Sequence, residues 1–282
     1  MRAARLFLCI ALACVAGVAV VFWARGHTSI GHRIDTSAII HGLTASTAPR
    51  LHHATSDVLR TIDVTSLALM GGGLVALALV RRRPGVAVGV VVVLAGANLT
   101  TQLLKRTLEQ SRESGPAPTY AGPPSFPSGH ATVAMSLALA AVLASPAGLR
   151  LVTALAGALY STAVGVALVA LGWHFPSDVA GGYLVSGAWT AVVAAALAAF
   201  GALGARGRRA VALDRRLAGF LVVLLVVGFT VGVAVTLSRR PELISYGRLH
   251  TLFFVSCAGL AALSLVLSSA TAALLESPGG RA

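Results

Sequence analysis

Apolar runs, most of them close to the length that crosses a bilayer, recur from Leu6 to Leu275, and the charged side chains fall almost entirely between them. In lipid the backbone must satisfy its own hydrogen bonds, so runs of this kind become helices. The chain is 56% hydrophobic and 11% charged, with a mean hydropathy of +0.84. A soluble domain of 282 residues needs far more surface charge than that. The expected fold class is therefore all-α, a polytopic transmembrane helix bundle. Eight spans are expected, at about 6–23, 64–80, 85–104, 127–144, 149–173, 179–200, 217–237 and 250–275. A polar segment over 24–63 follows the first span. Its apolar residues recur at loose helical spacing, which suits one or two amphipathic helices on the membrane surface or folded over it.

The net charge of +13 does not point to nucleic acid here. Most basic residues sit in short loops beside apolar runs, which is the orientation signal of membrane proteins and also suits anionic headgroups. Eight spans place both termini on one side. With that side cytoplasmic, Arg2, Arg5, Arg81–Arg83, Arg150, the arginines from Arg206 to Arg216 and Arg281 lie inside. The first span follows Arg2 and Arg5 like a leader. Its apolar run is long, however, and no small-x-small cleavage site follows, so it reads as an uncleaved span. Cys9, Cys14 and Cys257 all lie in apolar runs and read as small buried residues without a disulfide framework. The polar segment holds five histidines, His27, His32, His41, His52 and His53, at no tight ligand spacing. A solvated interfacial face is the expected reading there, with no metal site. The triple glycine 71–73 marks close helix packing.

Three polar clusters fall on the predicted outer face. Lys105 and Arg112 stand at the mouth of the third span, where two cations can hold phosphate oxygens. Pro127-Ser128-Gly129-His130 opens the fourth span. Proline suits a first-turn or capping position, serine can cap, and glycine leaves the backbone open to close approach. The N–H groups and the positive end of the helix dipole then make a ready anion site, with His130 at its rim. His174 and Asp178 lie four apart around Pro176, between the fifth and sixth spans. A carboxylate there can accept from one imidazole nitrogen and leave the other nucleophilic. His53 and Asp57 share that spacing, so the spacing alone identifies nothing.

Taken together and in this order, the clusters resemble the type 2 phosphatidic acid phosphatase superfamily of integral membrane lipid phosphatases. Its pattern runs K-x6-R-P, then P-S-G-H, then S-R-x5-H-x3-D, and the resemblance covers about residues 35–200. It implies a six-helix phosphatase core over 1–200, including the outer segment 24–63. Two additional helices and a short tail occupy 201–282. It further implies that His174 attacks phosphorus to form a phosphohistidine, that Asp178 orients His174, and that His130 protonates the leaving oxygen and then activates water. Lys105, Arg112, Ser128 and Gly129 would bind phosphate oxygens, with no metal and no cofactor. The implied partners are a lipid phosphate, either phosphatidate-like or a polyprenyl pyrophosphate such as undecaprenyl pyrophosphate, and the surrounding membrane lipids.

Two positions depart from the pattern. The proline after the first arginine is Glu113, and the Ser-Arg pair of the third cluster is Ala167-Leu168. Losing one preorganised donor to a transition-state anion costs about 100- to 1000-fold in rate. Arg239, Arg240 or Arg248, in the last outer loop, are candidates to replace it. A lipid phosphotransferase, or a relative that binds lipid phosphate without turnover, are the competing readings. A transporter finds little support, because the spans carry almost no buried charge.

Overall fold

The computed structural model describes residues 2–40, 49–60, 62–108, 126–202 and 248–276, with isolated positions between 220 and 239. Among the described residues there are nine α-helices and no strand. They are α1 (Arg2–His27), α2 (Ser29–Ile40), α3 (Pro49–Arg60), α4 (Val64–Val80), α5 (Pro84–Thr107), α6 (Gly129–Ala144), α7 (Arg150–Ala170), α8 (Pro176–Ala199) and α9 (Thr251–Glu276). A short 3-10 turn, Ala147–Leu149, leads into α7. Five helices are long and apolar enough to cross a membrane: α1, α5, α7 with its leading turn, α8 and α9. α4 and α6 are apolar but shorter, at 17 and 16 residues, and stand where spans are expected. The span expected at 217–237 lies largely outside the described residues.

The starts and stops of these helices are written locally. Asp63 caps α4, accepting from Ser66 N at 2.7 Å, while Ser66 Oγ accepts from Asp63 N at 2.9 Å. This is the reciprocal capping box. The neighbouring amides hold the Asp63 carboxyl below its ordinary range. Two of the basic residues expected on the inner side do more than orient the chain. Arg81 Nη1 donates to Ala144 O at 3.0 Å, at the end of α6. Arg150 Nη1 donates to Leu275 O at 2.8 Å, at the end of α9. Each satisfies a carbonyl that the helix leaves open and meets the negative end of the dipole.

α8 is the axis of the bundle, packed against α1, α5, α6 and α9. Buried apolar residues fall into two layers. One joins Phe7, Val86, Val90, Ala144, Leu197 and Leu275. These lie at the starts of α1 and α5 and the ends of α6, α8 and α9. The other joins Met135, Leu139, Leu168, Val179, Tyr183 and Leu260, nearer the opposite end. In lipid such packing is reinforced by interhelical hydrogen bonds worth about 0.6 kcal/mol each. Thr101 on α5 and Thr132 on α6 meet at 2.9 Å, and Ser186 on α8 donates to Thr132 O at 3.2 Å. Large apolar side chains such as Leu12, Leu69, Val80 and Leu99 face outward, as a lipid-facing surface requires.

Where it is described, the polar segment is helical but does not merely lie flat. α2 contacts α7, α8 and α9, and α3 contacts α7, so both dock on one end of the bundle. Leu59 of α3 is fully buried in the second layer. Of the three glycines 71–73, a Cβ at Gly71 would meet Leu94 of α5 at 2.7 Å, whereas at Gly72 and Gly73 it would meet nothing within 4 Å. One glycine of the three is therefore a packing position.

Candidate active site

Five helix ends converge at the end of the bundle against which α2 packs. α7 stops in a Schellman turn. Gly172 takes the left-handed conformation, φ +69°, which suits glycine. Trp173 N donates to Leu168 O at 3.0 Å and Gly172 N to Val169 O at 3.0 Å. His174 N also turns back to Leu168 O, at 3.3 Å. The chain then enters α8 with Pro176 in its first turn and Asp178 as its third residue. The turn that stops α7 therefore sets His174 above the start of α8, one turn from Asp178.

Asp178 is fully buried. Its Oδ2 accepts from Phe175 N at 3.2 Å and stands 3.6 Å from His174 Nδ1. Its Oδ1 stands 3.6 Å from Arg25 Nη1, at the end of α1. The Arg25 guanidinium lies 4.5 Å from the centre of the Phe22 ring and 4.7 Å from that of Phe126, both within cation–π range. A buried carboxylate at a helix N-terminus is thus met by an imidazole on one oxygen and a guanidinium on the other.

α6 begins beside it. Ser128 caps α6, accepting from Ala131 N at 3.4 Å, and Ser128 N donates to Asp178 O at 2.9 Å. This close approach needs Gly182 on α8, where a Cβ would stand 2.8 Å from Ser128 O. His130 follows in the first turn, its ring 6.5 Å from that of His174 and edge-on to Trp173 at 5.9 Å. Lys105 reaches over from α5, its Nζ 3.6 Å from where a Cβ at Gly129 would be. One end of the bundle therefore gathers His174, Asp178, His130, Ser128, Gly129 and Lys105.

Arg112 and Glu113 lie outside the described residues. Leu168 is completely buried in the second core layer. Arg239 and Arg248 are exposed, and Arg240 lies outside the described residues. The arginine that meets Asp178 is Arg25, which the sequence presents only as a basic residue closing the first span. Asp35 of α2 was equally hidden. It is 4% exposed, and accepts from Ser177 N at 3.1 Å and Ser177 Oγ at 2.7 Å, so it caps the first turn of α8 from another helix. An acidic residue in the polar segment was the sole signal for it. Among the histidines of that segment, His27, His32 and His53 are exposed. Among the described residues, no group of three or more His, Cys, Asp or Glu is placed to hold a metal ion.

Long apolar helices with a cluster of ionisable groups gathered at one end describe an integral membrane protein with a polar site set into its bundle. Residues 86–202 match the family model described as the PAP2 superfamily, and the chain carries a PAP2 superfamily domain over that segment. Members of that superfamily are typically metal-independent phosphatases. No curated protein and no solved structure matches the chain. Lys105, Ser128, Gly129, His130, His174 and Asp178 fall inside the matched segment, while Arg25 and Asp35 precede it.

Proposed function

We propose that the protein is a membrane lipid phosphatase that hydrolyses a phosphomonoester or pyrophosphate of a lipid through a phosphohistidine intermediate. The observation that carries this reading is the placement of His174 against the buried Asp178, with His130 facing it across 6.5 Å. His174 Nε2 attacks phosphorus, and the bond from phosphorus to the leaving oxygen breaks. His130 gives its proton to that oxygen, which departs on the lipid or, from a pyrophosphate, on the lipid monophosphate. Asp178 stabilises the positive charge on the phosphorylated imidazole. His130 then takes a proton from water as its oxygen attacks. The phosphorus–nitrogen bond breaks, inorganic phosphate leaves, and both histidines are restored.

The phosphate oxygens face Lys105 and the start of α6. There the N–H groups of Gly129 and His130, the first two of the helix, have no intrahelical acceptor. Such a step needs positioning and charge stabilisation above all. Arg112 joins them in this reading on the family pattern alone. The site opens to the extracytoplasmic side, and both termini are cytoplasmic, a reading that rests on the distribution of arginines. Residues 201–282 add two helices to a phosphatase core over 1–200.

The test is phosphate release by the purified protein in detergent, offered phosphatidate and undecaprenyl pyrophosphate in turn, beside a His174→Ala control. Release that disappears in the control supports the reading, and the ratio of rates names the preferred lipid class. No release above the control from either lipid, with binding of both retained, favours a non-catalytic lipid-phosphate binder. The burial of an apolar Leu168 at the position of the pattern's arginine favours that second reading. Phosphate appearing on an added alcohol or sugar acceptor rather than in water would identify a phosphotransferase.

A further inference from the structure

An imidazole paired with a buried carboxylate gains proton affinity, because the negative charge favours the cation. That helps once the ring has been phosphorylated and hinders beforehand, since a protonated imidazole cannot attack. His174 has this geometry, with its Nδ1 buried and Asp178 Oδ2 at 3.6 Å. A cation on the far side of the carboxylate tempers the pairing by drawing off part of the negative charge. The superfamily pattern places an arginine at the position of Leu168, which here is apolar and fully buried.

We propose that Arg25 is a positioning residue of this site: from α1, it engages one oxygen of Asp178, tempers the charge that Asp178 presents to His174 and holds the imidazole aligned for attack. Three observations carry this. Arg25 Nη1 is 3.6 Å from Asp178 Oδ1, the oxygen opposite the one facing His174. The guanidinium rests on the faces of Phe22 and Phe126, so its plane is held without a long flexible search. The Arg25 side chain is only 10% exposed, so water screens the pair weakly.

Among the described residues, the other charged and titratable groups around His174 are placed differently. His130 of α6 faces the imidazole ring. Lys105 of α5 stands over Gly129, and its charge also acts on Asp178 without an ion-pair contact among those described. Asp35 of α2 is engaged by Ser177, and His53, Asp57 and Arg60 of α3 are exposed. His250 lies just before α9, whose one charged residue, Glu276, is at its far end.

The catalytic part of this inference rests on the proposed phosphatase reading, so the test includes a readout that does not require turnover. The His174 ring is titrated by nitrogen-15 histidine NMR of the full chain in detergent micelles, with His174→Ala used for assignment. Arg25→Gln is expected to raise the titration midpoint of His174 by about one pH unit. Arg25→Met, an uncharged side chain of similar length, should raise it equally, and Arg25→Lys should leave it near the parent value. In phosphate-release assays Arg25→Gln is expected to lower kcat about 10- to 100-fold with little change in KM. That range matches the loss of a partner that orients a metal-bound histidine. The acid limb of kcat/KM should move up with the NMR midpoint, and Arg25→Lys should restore much of the rate. An unchanged or lowered midpoint in both neutral variants would overturn the proposal, even in an active enzyme. A raised midpoint in a protein that releases no phosphate would uphold the charge coupling and defeat the phosphatase reading instead.

Discussion

Gly182→Ala perturbs the joint between the two helix starts that carry the site, and its effect can be worked from the contacts. The new methyl would stand 2.8 Å from Ser128 O, 2.9 Å from Thr132 Oγ1 and 3.1 Å from Thr132 N. Ordinary contact begins near 3.4 Å, so the first turn of α6 has to retreat by about 0.6 Å (from 2.8 Å to 3.4 Å). These atoms cannot simply swing away, because Thr132 N and Thr132 Oγ1 both bond to Ser128 O. A retreat of that size stretches the 2.9 Å bond from Ser128 N to Asp178 O to the limit of hydrogen bonding. Overpacking costs about 1–3 kcal/mol and the lost bond about 1 kcal/mol. Alanine returns about 0.5–1 kcal/mol over glycine in a helix. The net expectation is a loss of about 1–3 kcal/mol. Displacing Ser128, Gly129 and His130 relative to His174 should cost about 10- to 100-fold in kcat. Thermal unfolding in detergent and phosphate release measure the two effects. Gly72→Ala, with nothing within 4 Å of its new methyl, is the control and should be neutral or stabilising. If Gly182→Ala matched the parent within twofold in rate and within a degree in Tm, the two helix starts would not be coupled as described.

Three further outcomes are expected. Gly172→Ala places a side chain at φ +69° and should cost about 1–2 kcal/mol. Gly172→Asn should cost less, and equal Tm values for the two would contradict the Schellman turn. If His174 attacks as the neutral ring and His130 donates as the protonated one, the rate of phosphate release should be bell-shaped in pH; a flat profile between about pH 5 and 8 would exclude that pair of roles. Asp63, held ionised by the amides of α4, has a depressed carboxyl. Its contribution to stability is complete above the unfolded carboxylate range and is lost as pH falls through the lowered value. Asp63→Asn, which still caps, should show a flatter decline of Tm in acid, and identical declines would remove Asp63 from the account.

What could be read from the sequence was whatever lay close together along the chain. Pro127 to His130 and His174 to Asp178 are local constellations at span ends, where a polar residue has few other reasons to stand. The stop at Gly172 was not read, since the fifth span was expected to run to 173, whereas α7 ends at Ala170. Arg25 and Asp35 were illegible because their partners, Asp178 and Ser177, are remote in sequence. An arginine at the end of a span has an ordinary interfacial explanation that hides any other. The absence of an arginine at Leu168 was visible, but nothing in the sequence pointed to Arg25 of α1 as a cation beside Asp178. Arg81 and Arg150 show the same limit. Their charge suggested orientation, and their donation to Ala144 O and Leu275 O emerges only when α6 and α9 are placed beside them.

The contact between Arg25 and Asp178 also sets an order on how the molecule can be built. α1 enters the membrane early in synthesis, yet the carboxylate that its arginine meets arrives only with α8. Until then Arg25 has to wait at the interface, where its long side chain can reach water or headgroups. The extensive α1–α8 seam therefore closes late, and the cluster of charges at its end cannot form before it does. A truncated chain that stops short of α8 would hold an anchored but chemically empty bundle. A chain deprived of α1 would keep both histidines and lose the guanidinium on Asp178.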